Sequence, residues 1–168
     1  MLYFAYGSNM DMARMRSRGI KIGGASPLTL NGYRLVFNKV GSLTGEGYAN
    51  IIPSGKNVVE GVVYEIGPED FEILDGYEGV AGGHYSRVTF AKGKLTTYIA
   101  NFTEYGLKPS REYLEHLLAG EPFLSQEYYS WLKQTPTLKV GWDHDRNHGR
   151  YEQAGLWWKK KRYDGVAF

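Results

Sequence analysis

Apolar residues come in short blocks along this chain, separated by glycine, proline and polar clusters, and the spacing inside each block alternates between strand-like and helix-like. Leu2-Tyr3-Phe4-Ala5-Tyr6 reads as a short buried strand, which Gly7-Ser8-Asn9 punctuates. Residues 10–18 read as a helix ended by Gly19. Strand-like segments follow at Arg34-Leu35-Val36-Phe37, at residues 48–52 and at residues 58–66. Gly67-Pro68-Glu69-Asp70 is a helix start, with proline in the first turn and early acids. That helix runs to Tyr77 or Glu78, where Gly79 stops it. Residues 87–91 and 95–102 predict a β-hairpin turning at Lys92-Gly93-Lys94. Ser110 caps a helix through Leu118 that Gly120 ends, and residues 126–134 form another. Strands gather ahead of helices without βαβ alternation, so the predicted fold class is α+β, a mostly antiparallel β-barrel or sheet with flanking helices.

Composition changes this picture little and narrows the partners. At 168 residues, the chain suits a single core. The predicted domain covers residues 1–134, and residues 135–168, where the composition turns polar and then basic, are expected to form a C-terminal extension folded over it. No apolar run approaches membrane-span length, and no signal-peptide pattern opens the chain, so no membrane partner is expected. There is no cysteine, which excludes disulfides, thiolate metal sites and a cysteine nucleophile and points to a cytoplasmic setting. Twenty basic residues against 18 acidic ones argue against nucleic acid as the main partner. Fourteen tyrosines suit the walls of a polar pocket, since each ring is apolar with a hydrogen-bonding tip.

Two places carry candidate chemistry. Tyr6-Gly7-Ser8-Asn9 joins a strand to a helix, where unpaired N–H groups and the helix dipole favour an anion. Gly7 lets a ligand approach the backbone, and Ser8 or Asn9 can cap the helix. An ordinary capped turn is the plainer alternative. The loop has neither a Walker sequence nor a dinucleotide fingerprint, so a carboxylate suits it better than a phosphate. The second place is Glu78. Phe71, Leu74 and Ile73 define an apolar stripe that three- and four-residue spacing continues to Tyr77 and Glu78, aiming Glu78 inward. Burial, the helix C-terminus and Asp75 one turn earlier would all raise its pKa, as general acid/base work near neutral pH requires. Pairing with an arginine or capping a backbone N–H is the structural alternative.

Taken together, these segments resemble the γ-glutamylcyclotransferase-like family, also called AIG2-like or BtrG-like. The resemblance rests on Tyr3-Phe4-Ala5-Tyr6-Gly7-Ser8-Asn9-Met10, Gly47-Tyr48-Ala49-Asn50-Ile51 and Val59-Glu60-Gly61-Val62-Val63-Tyr64. It continues through Leu74-Asp75-Gly76-Tyr77-Glu78-Gly79-Val80, Gly83-His84-Tyr85, Tyr113 and Tyr128, over roughly residues 1–132. It implies a barrel-type fold and an enzyme that cyclises a γ-glutamyl amine or peptide to 5-oxoproline with release of the amine. It further implies Glu78 as general acid/base, the backbone of Tyr6, Gly7, Ser8 and Asn9 as the cradle for the glutamyl end, and Tyr85 and Tyr113 as pocket walls. The implied partner is a small γ-glutamyl molecule, and no cofactor or metal is implied. A binding protein on the same fold that has lost catalysis is the alternative.

Two other runs compete for attention. Asp143-His144-Asp145-Arg146-Asn147-His148 has histidines four apart, yet Gly141 and Gly149 bracket it as a loop rather than a metal-binding helix. Lys159-Lys160-Lys161-Arg162 follows Trp157-Trp158, and a solvated basic edge is the commoner outcome for so short a run.

Overall fold

β1 (Leu2–Ala5) lies in the middle of a five-stranded sheet whose order is β2 (Gly24–Val40), β3 (Gly47–Glu65), β1, β5 (Leu95–Ala100), β4 (Tyr85–Phe90), and its position explains its composition. Tyr3, Phe4 and Ala5 are all buried because both faces of a central strand are covered. The structure, a computed structural model, describes residues 1–90 and 93–139. The runs around His144 and Lys159, with most of the predicted extension and part of the 92–94 turn, lie outside the described residues.

β2 (Gly24–Val40) and β3 (Gly47–Glu65) form one long antiparallel hairpin, from the Gly24–Glu65 pair to the Val40–Gly47 pair. β3 is antiparallel to β1, β1 is parallel to β5 (Leu95–Ala100), and β5 is antiparallel to β4 (Tyr85–Phe90). The sheet is thus mostly antiparallel, and it curls. Lys39 bridges Thr103 just past β5, and the Tyr33 and Phe90 rings on the two outer strands lie 5.5 Å apart.

Several predicted boundaries differ, β4 and β5 by one or two residues and three others by more. The segments at 48–52 and 58–66 are one strand, and β2 begins at Gly24 rather than near Arg34. Pro27 hides this extension from a sequence reading, but an edge strand tolerates a missing N–H, and pairing with β3 carries the strand through. The first helix, α1 (Met12–Ser17), starts after Asp11, whose Oδ1 accepts the N–H of Ala13 and Arg14. Asp11 is therefore its cap, not Ser8 or Asn9, which belong to a separate 3-10 turn, Ser8–Met10.

The other helices match the signals that predict them. α2 (Pro68–Glu78) begins with Pro68 and with Asp70 accepting the Gly67 N–H at 2.8 Å, and it ends at Gly79 in the left-handed region, φ 63°. α3 (Arg111–Leu118) is capped by Ser110, and α4 (Gln126–Lys133) by Ser125. Phe71 and Leu74 of α2, Leu114 and Leu117 of α3, and Leu132 of α4 join Phe4, Met10, Met15 and Tyr64 in one core. Each such side chain contributes about 1.5–3 kcal/mol on burial, so the helices hold the sheet and fix where α2 ends.

Candidate active site

The site is built where the first loop meets the end of α2. Tyr3, Tyr6, Gly7, Ser8, Asn9, Ala49, Glu78, Tyr85, Tyr98 and Tyr113 line one cleft of about 290 Å³, counted with its open mouth. All seven predicted site residues are therefore brought together, from the connection after β1, the 3-10 turn, α2, β4 and α3.

Glu78 reaches this cleft because α2 buries a narrow stripe. Asp70, Phe71 and Leu74 face the core and Glu78 continues their line, while Ile73 and Tyr77 are exposed, contrary to the wider stripe expected. Glu78 Oε1 accepts from Asn9 Nδ2 at 3.0 Å, and Arg18 Nη1 lies 3.8 Å from the same oxygen. No other hydrogen bond or ion pair reaches this carboxylate among the described residues, so Oε2 is left over. Burial raises the Glu78 pKa, against Arg18, the Asn9 hydrogen bond, Arg14 and Lys39, which pull it down. Asp75 is not the cause expected. Its carboxylate turns away, accepting from the Tyr98 hydroxyl at 2.7 Å and pairing with Arg87 at 3.2 Å. The arginine alternative is met in part, since Arg18 is near, but the carboxylate still faces a cavity.

Asn9 organises this corner. It is buried, its amide nitrogen donates to both Tyr3 Oη (2.7 Å) and Glu78, and its Oδ1 accepts from Arg18 Nη1 at 2.6 Å. The resemblance implied a backbone role for Asn9, and the structure adds this side-chain role.

The loop itself is short of room. A Cβ on Gly7 would lie 3.1 Å from Ala49 Cβ and 3.3 Å from Tyr113 Oη, so any side chain there demands that a neighbour give by a few tenths of an ångström. At φ −115° the backbone makes no demand of its own. The first turn of any helix leaves its leading N–H groups without partners inside the helix, which here are those of Ser8 and Asn9. The Tyr113 hydroxyl packs against Ser8 and accepts the Ala49 N–H at 3.0 Å.

The tyrosine hydroxyls divide by what their protons do. Tyr6 donates to the Tyr98 carbonyl and Tyr85 to the Ala49 carbonyl at 3.0 Å. Tyr3 and Tyr113 accept, from Asn9 and from Ala49 N–H, so their own protons can turn to a ligand. Burial pushes the Tyr113 hydroxyl up to about 12 and raises those of Tyr3, Tyr6 and Tyr85, so all four stay protonated at neutral pH. Such hydroxyls can donate hydrogen bonds to an oxyanion.

Sequence reasoning missed Tyr3, Arg18, Ala49 and Tyr98. Ala49 lay within a string already quoted for the resemblance, and Tyr3 shares a strand face with Ala5. Arg18 and Tyr98 had no local signal, because their partners are distant in the chain.

The comparisons with known proteins bear on the family and the fold. The family described as Gamma-glutamyl cyclotransferase, AIG2-like matches residues 3–122. A Gamma-glutamylcyclotransferase of Bos taurus is 32% identical over 143 residues, covering 78% of this chain and 76% of its own. A solved structure named Gamma-glutamyl cyclotransferase superposes with a TM-score of 0.70 at 24% identity, over 92% of this chain and 98% of its own, a likeness of fold. YkqA from Bacillus subtilis has a TM-score of 0.72 at 27% identity, over 82% of this chain and 56% of its own.

Proposed function

The chain belongs to the γ-glutamyl cyclotransferase, AIG2-like family and is an enzyme of that type, and from this premise we propose that it converts a γ-glutamyl amine or peptide to 5-oxoproline and a free amine, with Glu78 as general acid/base. One observation carries the reading: a partly buried carboxylate with a raised pKa shares a cleft with the amide-bearing turn at Gly7-Ser8-Asn9.

The glutamyl α-carboxylate rests on the N–H groups of that turn. This folds the substrate so that its own α-nitrogen approaches its γ-carbonyl, and attack within one molecule replaces a costly encounter of two. Glu78 removes one proton from the α-ammonium. The nitrogen lone pair forms the lactam bond, and the γ-carbonyl becomes an oxyanion that the Tyr113 hydroxyl, an acceptor toward Ala49 and a neighbour of Ser8, is suited to meet. The bond to the leaving amine then breaks, and Glu78 returns the proton to that amine. Two protons leave the α-nitrogen, one to Glu78 before attack and one as the tetrahedral intermediate collapses to the lactam, and the departing amine takes up both as its ammonium, so atoms and charge balance.

The test is a screen of γ-glutamyl compounds for 5-oxoproline release by wild type and Glu78→Gln. Release by wild type that falls about 10²- to 10⁴-fold in the variant is expected; unchanged turnover in the variant refutes the assignment. Binding of γ-glutamyl compounds with no 5-oxoproline formed would favour a binding protein instead.

A further inference from the structure

One buried charge takes no part in the reaction as proposed. Lys39 is only 6% exposed, and its Nζ donates to a single acceptor, the Val40 carbonyl, at 2.7 Å. The ion pairs among the described residues join Arg18 to Glu78, Arg87 to Asp75, Arg111 to Glu115 and His116 to Asp11; none includes Lys39. An ammonium has three donors, and a buried one without an anion is expensive to keep. A ligand anion would supply what the protein lacks.

Lys39 is not itself among the residues that line the cleft, but it stands beside one of its walls. Nζ lies 5.9 Å from the centroid of the Tyr85 ring, and Tyr85 is a wall of the cleft whose hydroxyl is tied to Ala49. The backbone on either side of Lys39 is pinned. Asn38 sits at a register shift in the β2–β3 ladder, its side-chain oxygen accepts from Asn50 Nδ2 at 3.0 Å, and its carbonyl accepts the Glu104 N–H at 2.8 Å. Val40 N–H donates to the Phe102 carbonyl at 3.3 Å. Irregularities of this kind re-aim side chains beside sites. Lys39 and Glu78 also act on each other's charge, Lys39 being among the groups that lower the Glu78 pKa.

We propose that Lys39 is a specificity residue that receives a carboxylate on the leaving amine, so that the enzyme favours γ-glutamyl amino acids and peptides over γ-glutamyl amines without one. This rests on the proposed cyclisation. The turn at Gly7-Ser8-Asn9 takes the first carboxylate, at the glutamyl end, and Lys39 on β2 takes the second, along the Tyr85 wall. A neutral leaving amine leaves the ammonium unpaired in the complex.

The experiment compares γ-glutamyl-alanine with γ-glutamyl-ethylamide, the same compound less one carboxylate, by kcat and KM for 5-oxoproline release. Wild type is expected to favour the alanine compound about ten- to a hundredfold in kcat/KM, chiefly through KM. Lys39→Met is expected to remove that preference by raising KM for the alanine compound alone, and Lys39→Arg to retain most of it. Equal wild-type efficiency on both compounds overturns the assignment even if Lys39→Met does not fold. So does an equal loss on both compounds in Lys39→Met, the mark of action through Glu78 or the fold. Release from both at equal rates leaves the cyclisation standing; release from no γ-glutamyl compound removes the cyclisation, and this inference with it.

Discussion

Asp70 and Glu78 stand at opposite ends of α2, both turned inward, and the helix treats them in opposite ways. Asp70, 5% exposed, has each oxygen filled by a main-chain donor: Gly67 N–H at 2.8 Å and Lys21 N–H at 2.9 Å. It also sits at the positive end of the helix dipole. Glu78 sits at the negative end, with one oxygen held by the Asn9 amide and the other left over, and burial raises its pKa. A buried acid satisfied by main-chain donors is a structural part. One left short of partners beside a cavity is equipped to move protons.

The largest effects expected from this contrast are at Glu78. Glu78→Gln should cost two to four orders of magnitude in 5-oxoproline release while leaving the fold in place, because the amide retains an acceptor for Asn9. Stability should even move the other way at neutral pH. An acid whose native pKa lies above its unfolded value makes the native state bind more protons between the two values. Wild type therefore loses stability as pH rises from the ordinary glutamate range through the raised native value, and Glu78→Gln does not. Urea unfolding of both proteins at a series of pH values checks this; parallel curves would end the claim that burial sets this group apart.

Asp70→Ala should do the reverse. Removing the acceptor of two part-buried main-chain N–H groups, one of them at the helix start, should cost about 1–3 kcal/mol in unfolding free energy. Activity per folded molecule should stay within about twofold. A large kinetic loss in a stably folded Asp70→Ala would mean that the two ends of α2 are not separable.

Much of this contrast was legible beforehand. Proline and early acids set the start of α2, Gly79 its end, and the spacing from Phe71 and Leu74 put Glu78 on the inner side. Burial, the chief cause of its raised pKa, was legible as well, but the expected push from Asp75 is absent, because that acid is held away by Tyr98 and Arg87. The inward position of Tyr77 was misread since the buried stripe is narrower than the spacing rule allows; its ring lies under Arg18 at 4.4 Å instead. Asn9 was read as a helix cap or a piece of backbone, whereas its side chain ties together Tyr3, Arg18 and Glu78, groups between six and 69 positions away. Lys39 had no periodic signal at all, for the irregularity at Asn38 breaks the alternation that strand reading depends on. Local punctuation showed the elements; long-range pairing decided which side chains meet.

The smallest effect, and the finest probe of the contrast, concerns Arg18. Its guanidinium is the foremost of the groups that offset burial and hold the Glu78 pKa down. Arg18→Met keeps an unbranched side chain against the Tyr77 ring while removing the charge. With that opposing pull gone, Glu78 should bind its proton to higher pH. If the base form of Glu78 starts the reaction, the acid-side limb of the kcat/KM profile should move to higher pH in Arg18→Met, with the plateau rate within about tenfold of wild type. Asn9→Ala should move the limb in the same direction, since the hydrogen bond it removes favours the carboxylate. A limb that shifts to lower pH in either variant would show that another group controls the proton transfer, and Glu78 would then be no different in kind from Asp70.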